Sequence, residues 1–297
     1  MNKKLKFSQR HPFWFGFGLI ILAMVLISGT MAFFNLIFKG KTVFTWGRPK
    51  IGVVYVQGVI QNSIPITRWI NQLSRDKSIK AILVRIDSPG GVVGPSQEIY
   101  QALKKAQNQK LVIASMGAVA ASGGYYVALG AQKIIANPGT ITASIGVKAS
   151  LTNFKGLLDK LGIQDQTLVS GKLKDAGSPF RPLTPEEKTY LQKLIDNLHQ
   201  QFVQAVVQSR DLPLDKVQKI ADGRAMTGQQ ALKYGLIDGL GGFDYALTTL
   251  CKLLKIKTKP ILVEGPKTGT SLLSKLLSLT GIKPHTIWGP RWILSYE

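Results

Sequence analysis

Gly117-Ala118-Val119-Ala120-Ala121-Ser122-Gly123-Gly124-Tyr125-Tyr126 is the stretch on which the reading of this chain turns. The run ahead of it, Leu111-Val112-Ile113-Ala114-Ser115, is apolar and β-branched and reads as a buried strand. Tyr125 to Ala131 reads as a helix, so Ser122 falls at a strand-to-helix junction among small residues, where its hydroxyl is expected to be accessible. The Gly123 amide then stands at a helix start, where the helix has no acceptor of its own to offer. Gly123 and Gly124 let another backbone approach closely. A reactive serine hydroxyl beside a main-chain donor for negative charge has those requirements. A small-residue helix packed in a core meets them too.

Working outward, Ala81-Ile82-Leu83-Val84-Arg85-Ile86 is a second buried strand, and it ends in Asp87-Ser88-Pro89-Gly90-Gly91. Two glycine-rich turns thus close successive strands. In a parallel sheet both lie at the carboxyl edge, where ligands bind, and the amides of Gly91 and Gly123 could converge on one oxygen. Two ordinary tight turns would look the same. Further strands are predicted at 51–56, 133–136, 140–148 and 167–169, and helices at 66–73, 96–105 and 154–161. The alternation from residue 51 to about 170 predicts an α/β domain with mainly parallel strands. Thr184, Pro185 and Glu187 form a capping-box signature for a long helix to Gln208. Shorter helices follow at 227–234 and 243–254.

The 27 residues from Pro12 to Phe38 carry no charge, which at 1.5 Å per residue spans a bilayer core of about 30 Å. The length favours a retained anchor over a cleaved signal peptide. Trp14, Phe13 and Phe15 at one end, and Phe33, Phe34 and Phe38 at the other, suit the two interfaces. Four basic residues flank each end, so charge counting does not orient the span. The expected organisation is a basic N-terminus and anchor over 1–42, a linker over 43–50, a catalytic domain over 51–264 and a tail over 265–297. The tail carries Leu272, Leu273, Leu276, Leu277 and Leu279 at helical spacing. These are expected against a core edge, a neighbouring subunit or the membrane.

Lys and Arg number 38 against 16 Asp and Glu, and the first acidic residue is Asp76. Such an excess favours anionic surfaces. With no zinc-ligand spacing, no RNA-binding aromatic signature and no dense basic block, lipid headgroups are the expected partner and nucleic acid is not. The lone cysteine, Cys251, permits no internal disulfide and sits in an apolar helical context, as a core residue would.

A serine nucleophile needs a base. The three histidines are His11 before the anchor, His199 in mid-helix on an expected solvated face, and His285 in the tail. None follows Ser122 within the α/β core, which argues against a Ser-His-Asp triad. Lysine remains, and it must be neutral to act, although its ordinary pKa is about 10.4. Lowering that towards 7–8 destabilises the charged form by about 3–5 kcal/mol and takes a dry, apolar site. Lys174, in Ser170-Gly171-Lys172-Leu173-Lys174-Asp175, is the best candidate, provided the Asp175 carboxylate faces away from it. On the residues alone, an ordinary solvated surface lysine is the leading reading of Lys174.

Arg85-Ile86-Asp87-Ser88-Pro89-Gly90-Gly91, Ala120-Ala121-Ser122-Gly123-Gly124-Tyr125-Tyr126 and the 170–175 segment together resemble the signal peptide peptidase SppA (protease IV) family, over roughly residues 51–255. The resemblance implies a ClpP/crotonase-like fold and a Ser-Lys dyad. Ser122 would be the nucleophile, Lys174 the general base and the Gly91 and Gly123 amides the oxyanion donors, with no cofactor and no metal. It also implies one copy of the domain per chain and a homo-oligomer with active sites at subunit contacts. The catalytic domain would lie outside the cytoplasmic membrane and cleave remnant signal peptides. A crotonase-like acyl-CoA enzyme would use the same pair of amides on a thioester, but the anchor and Ser122 argue against it. A non-catalytic anchored scaffold is the third reading, opposed by the intact Ser122 and Lys174.

Overall fold

The computed structural model describes residues 11–38, 48–265 and 295–296. The chain divides into two units, Met1–Arg48 and Pro49–Glu297. The first holds helix α1 (Pro12–Phe38), long and apolar enough to cross a membrane. The hydroxyls of Ser28 and Thr30 donate back to the Val25 and Leu26 carbonyls at 3.0 and 2.9 Å, so neither needs water.

The second unit opens β1 (Lys50–Gln57), α2 (Ile64–Arg75), β2 (Ile79–Ser88), β3 (Gly91–Val92), α3 (Val93–Ala106), β4 (Leu111–Ala121) and α4 (Gly123–Ala128). It continues with β5 (Lys133–Ala136), β6 (Ile141–Ala143), α5 (Lys155–Lys160), α6 (Pro185–Arg210), α7 (Leu214–Gln218), β7 (Ala225–Thr227) and α8 (Gly228–Lys233). β8 (Gly239–Leu240), α9 (Phe243–Leu253), β9 (Ile261–Gly265) and β10 (Ser295–Tyr296) follow. Eight of these strands form one sheet in the order β7-β6-β4-β2-β1-β9, with β5 and β8 branching from β4. Its pairs are parallel except β6 with β7.

Period-two burial builds the two sides of this sheet. Val54, Val56, Ile82, Val84, Val112 and Ala114 face one core, completed by Ile70 and Leu73 of α2, Ile99 and Leu103 of α3 and Phe202 of α6. Ile51, Ala81, Leu83 and Ile113 face the other, against Ala246 and Leu250 of α9. Strands buried on both faces read as continuous apolar runs, which is why β2 and β4 stood out in the sequence. Cys251 of α9 is half-buried against the second cluster, and burial pushes its thiol pKa up.

β4 changes neighbours along its length, and this places the site. Ile113–Ser115 pair with β5, whereas Val119–Ala121 pair with β6. Between these halves the register with β2 slips, from Ile86↔Met116 to Ser88↔Ala120. The Asp87 carboxylate fills the gap and accepts the Val119 amide at 3.1 Å. The upper half of β4 therefore splays away from β5 and delivers its end to a separate edge.

Three expectations change. Residues 167–169 form no strand: Leu168 is 99% exposed and no neighbouring strand pairs with the segment. The strand expected over 140–148 stops at Ala143, because Ala143 and Ser144 take left-handed φ values of 61° and 51° and turn the chain away. The sequence predicts no strand at 261–265, where β9 pairs with β1 across a long sequence separation. The tail leucines 272–279 and His285 lie outside the described residues.

Candidate active site

β4 runs directly into α4 with Ser122 as the only intervening residue. The whole change of direction falls on that residue, at φ 52° and ψ −116°. A side-chain-bearing residue rarely occupies this backbone region, and holding it there costs about 1–3 kcal/mol. Two bonds over-determine it: the Ser122 amide donates to the Ala143 carbonyl, and the Tyr126 amide to the Ser122 carbonyl, both at 2.8 Å. Behind the turn Tyr125 is fully buried and donates its hydroxyl to the Leu236 carbonyl at 2.9 Å; burial pushes its pKa up.

The two glycine turns meet here. A methyl group on Gly123 would lie 2.7 Å from Ser96 Oγ and 3.1 Å from the Gly91 amide nitrogen. One on Gly124 would lie 2.7 Å from the Ser88 carbonyl oxygen. Gly91 has φ +154°, and a methyl there would sit 2.3 Å from the Ile60 carbonyl oxygen. Both turns therefore require glycine for close backbone approach. The 90–92 turn is clamped on three sides. Ile60 donates its amide to the Gly90 carbonyl and accepts the Val92 amide, each at 2.8 Å. The buried Ser88 hydroxyl accepts the Gly90 amide at 3.1 Å, and the buried Ser96 hydroxyl donates to the Val92 carbonyl at 2.9 Å. Past this turn, β10 pairs antiparallel with β3, setting Tyr296 opposite Gly91 and Ser295 opposite Val92.

Ser122, Gly91 and Gly123 are thus brought together. Ser122 is buried rather than accessible, because β6 and the 90–92 turn pack over the junction. Its Oγ has no hydrogen-bond partner among the described residues. Lys174 is not brought to it within the chain. It lies exposed on the turn after Gly171, whose carbonyl accepts the Lys174 amide at 2.9 Å. There it lines a surface pocket of about 350 Å³ with Leu173, Asp175, Phe180 and Tyr190. A larger pocket, about 570 Å³, borders the Asp175 and Arg181 side of the same segment and includes neither Ser122 nor a glycine turn.

His199 departs from the expected solvated face. α6 carries it half-buried, with Nε2 buried and unpartnered among the described residues, so it is not bonded to Ser122 Oγ. Among the described residues no group of three or more His, Cys, Asp or Glu side chains is placed to hold a metal ion.

Residues 104–257, which include Ser122, Gly123 and Lys174, match the model of Peptidase family S49. The chain belongs to that family. Among relatives of the S49 peptidase, "Putative protease slr0021" of Synechocystis sp. is 47% identical over 74% of this chain and 81% of its own length. "Putative protease MJ0651" of Methanocaldococcus jannaschii is 35% identical over 83% of this chain and 85% of its own. "Serine protease SPPA, chloroplastic" of Arabidopsis thaliana is 36% identical over 77% of this chain, a match that spans 36% of the plant protein. The S49 peptidase is therefore a serine peptidase of the SppA and protease 4 group, with the ClpP-like arrangement of parallel strands described above.

Proposed function

We propose that this S49 peptidase is a membrane-anchored serine endopeptidase that degrades apolar peptides, such as cleaved signal peptides, through a dyad of Ser122 and Lys174. The observation that carries the reading is the strained backbone of Ser122, whose hydroxyl has no hydrogen-bond partner among the described residues, beside two glycine turns that face each other. Neutral Lys174 takes the Ser122 proton as Oγ attacks the peptide carbonyl, and the Gly91 and Gly123 amides hold the resulting oxyanion. The lysine ammonium returns its proton to the leaving amine. Water, activated by the same amine, then frees the acyl group from Oγ.

Peptide rather than thioester is favoured by β10: this edge accepts an extended strand alongside Gly91, as a peptide substrate would lie. An apolar substrate suits a site dry enough to keep Lys174 neutral. α1 provides the anchor, and the catalytic domain is assigned to the extracytoplasmic side. The base is assigned to a neighbouring copy of the chain, since Lys174 is exposed and unbonded to Ser122 within its own. The segment that carries it exposes Leu157, Leu161, Ile163, Leu168 and Val169, an apolar surface suited to a subunit contact.

The test is complementation with an apolar peptide and the full chain in detergent. Ser122→Ala and Lys174→Ala each lower kcat/KM by at least about 10²–10⁴-fold, and co-assembly of the two restores part of the activity. Near wild-type turnover in either single variant ends the dyad; failure of the mixture to recover ends the placement of the base on a second copy.

A further inference from the structure

The segment bearing Lys174 is rich in charge, and its pairing is selective. Asp175, the next residue, accepts from Arg181 Nε at its Oδ2 at 3.0 Å and from Arg181 Nη2 at its backbone carbonyl at 2.9 Å. The other side of the same guanidinium grips Glu187, Nη2 to Oε1 at 2.6 Å and Nη1 to Oε2 at 2.9 Å. Glu187 is buried and closes the capping box of α6, accepting the Thr184 amide at 2.9 Å. Glu186 pairs with Lys172. Every carboxylate next to Lys174 along the chain, or on the first turn of α6, therefore belongs to another cation. Lys174 itself makes no ion pair among the described residues. The other titratable group lining its pocket is the phenol of Tyr190 on α6.

We propose that Arg181 is a positioning residue: it bolts the Lys174 turn to the start of α6 and denies Lys174 the Asp175 carboxylate as an ion-pair partner. The proposal rests on Lys174 being the base. A carboxylate within about 4–6 Å of an amine favours its charged form and raises its pKa by about a unit or more, the opposite of what a lysine base needs. Arginine suits the task because its planar fork holds Asp175 and Glu187 at once, and because it stays charged at any pH where the enzyme works. A lysine at 181 would supply a charge without the fork.

The experiment is the pH profile of kcat/KM on an apolar peptide for the full-length enzyme. In Arg181→Met the acid limb moves up by about one pH unit, so activity below the limb falls about tenfold. Adding Asp175→Asn to that variant returns the limb to its wild-type position, and Asp175→Asn alone leaves it there. Arg181→Gln, which keeps hydrogen-bond donors, is profiled in the same way should the Met variant not fold. A folded Arg181 variant with an unmoved limb overturns the proposal, as does a shift that Asp175→Asn fails to reverse, since that marks a purely structural role. Failure of the dyad itself is read separately, as full activity in Lys174→Ala.

Discussion

At position 122 the backbone does what a serine side chain resists. With φ 52° and ψ −116°, a glycine would be less strained there, whereas alanine would suffer as serine does. Ser122→Gly is therefore expected to be more stable than Ser122→Ala by about 1 kcal/mol, with both inactive. Denaturation of the two variants side by side checks this, and equal stability would show that the strain is not there. Gly123 has the converse constraint. In Gly123→Ala the new methyl presses on Ser96 Oγ at 2.7 Å and on the Gly91 nitrogen at 3.1 Å, so the two turns must part. Losing the geometry of one oxyanion donor costs about 10²–10³ in kcat, and steady-state kinetics on the folded variant should show a loss of that size.

Among the elements, α6 has the most heavily built terminus. Thr184 accepts the Glu187 amide at 3.2 Å, the Glu187 carboxylate returns to the Thr184 amide, and Arg181 caps the pair. Arg181 chiefly, then the Thr184 amide, holds the Glu187 carboxyl at about 2, below its usual 4.5. A carboxyl whose pKa is depressed on folding binds its proton more readily in the unfolded chain. Its contribution is thus complete above pH 4.5 and is lost as the pH falls through about 2. Acid unfolding followed between these values should be steeper in the wild type than in Glu187→Gln. Identical slopes would mean that Glu187 is not held by Arg181 in the folded protein. The same bonds anchor the turn that bears Lys174, which links the stability of an element to the disposition of the amine proposed as the base.

For the molecule as a whole, the proposed reading makes the β3 edge the place where chain and substrate would compete. Ser295 and Tyr296 occupy the strand position beside Gly91, so removing residues 294–297 should lower KM for an apolar peptide a few-fold while leaving kcat undiminished. An unchanged KM would show that β10 does not compete with substrate in solution.

Local information was enough for much of this. β5 begins and ends where the apolar run at 133–136 placed it, and Thr184, Pro185 and Glu187 announced the start of α6, because strand cores and helix caps are written in neighbouring residues. The α/β class is likewise legible from the alternation of apolar runs, and the candidates Ser122, Gly91 and Gly123 from the two glycine-rich turns; the family rests on the resemblance of three motifs. What neighbouring residues do not carry is what the rest of the chain brings to them. Only the assembled sheet shows β4 changing partners at Asp87, β9 completing the edge, Ser122 buried under β6, and Leu168 exposed where a strand had been expected. The pairing of Asp175 with Arg181 belongs to the same class, since a side chain's charge partner is set by which groups the fold places within about 3 Å of it, not by which residue stands next in line.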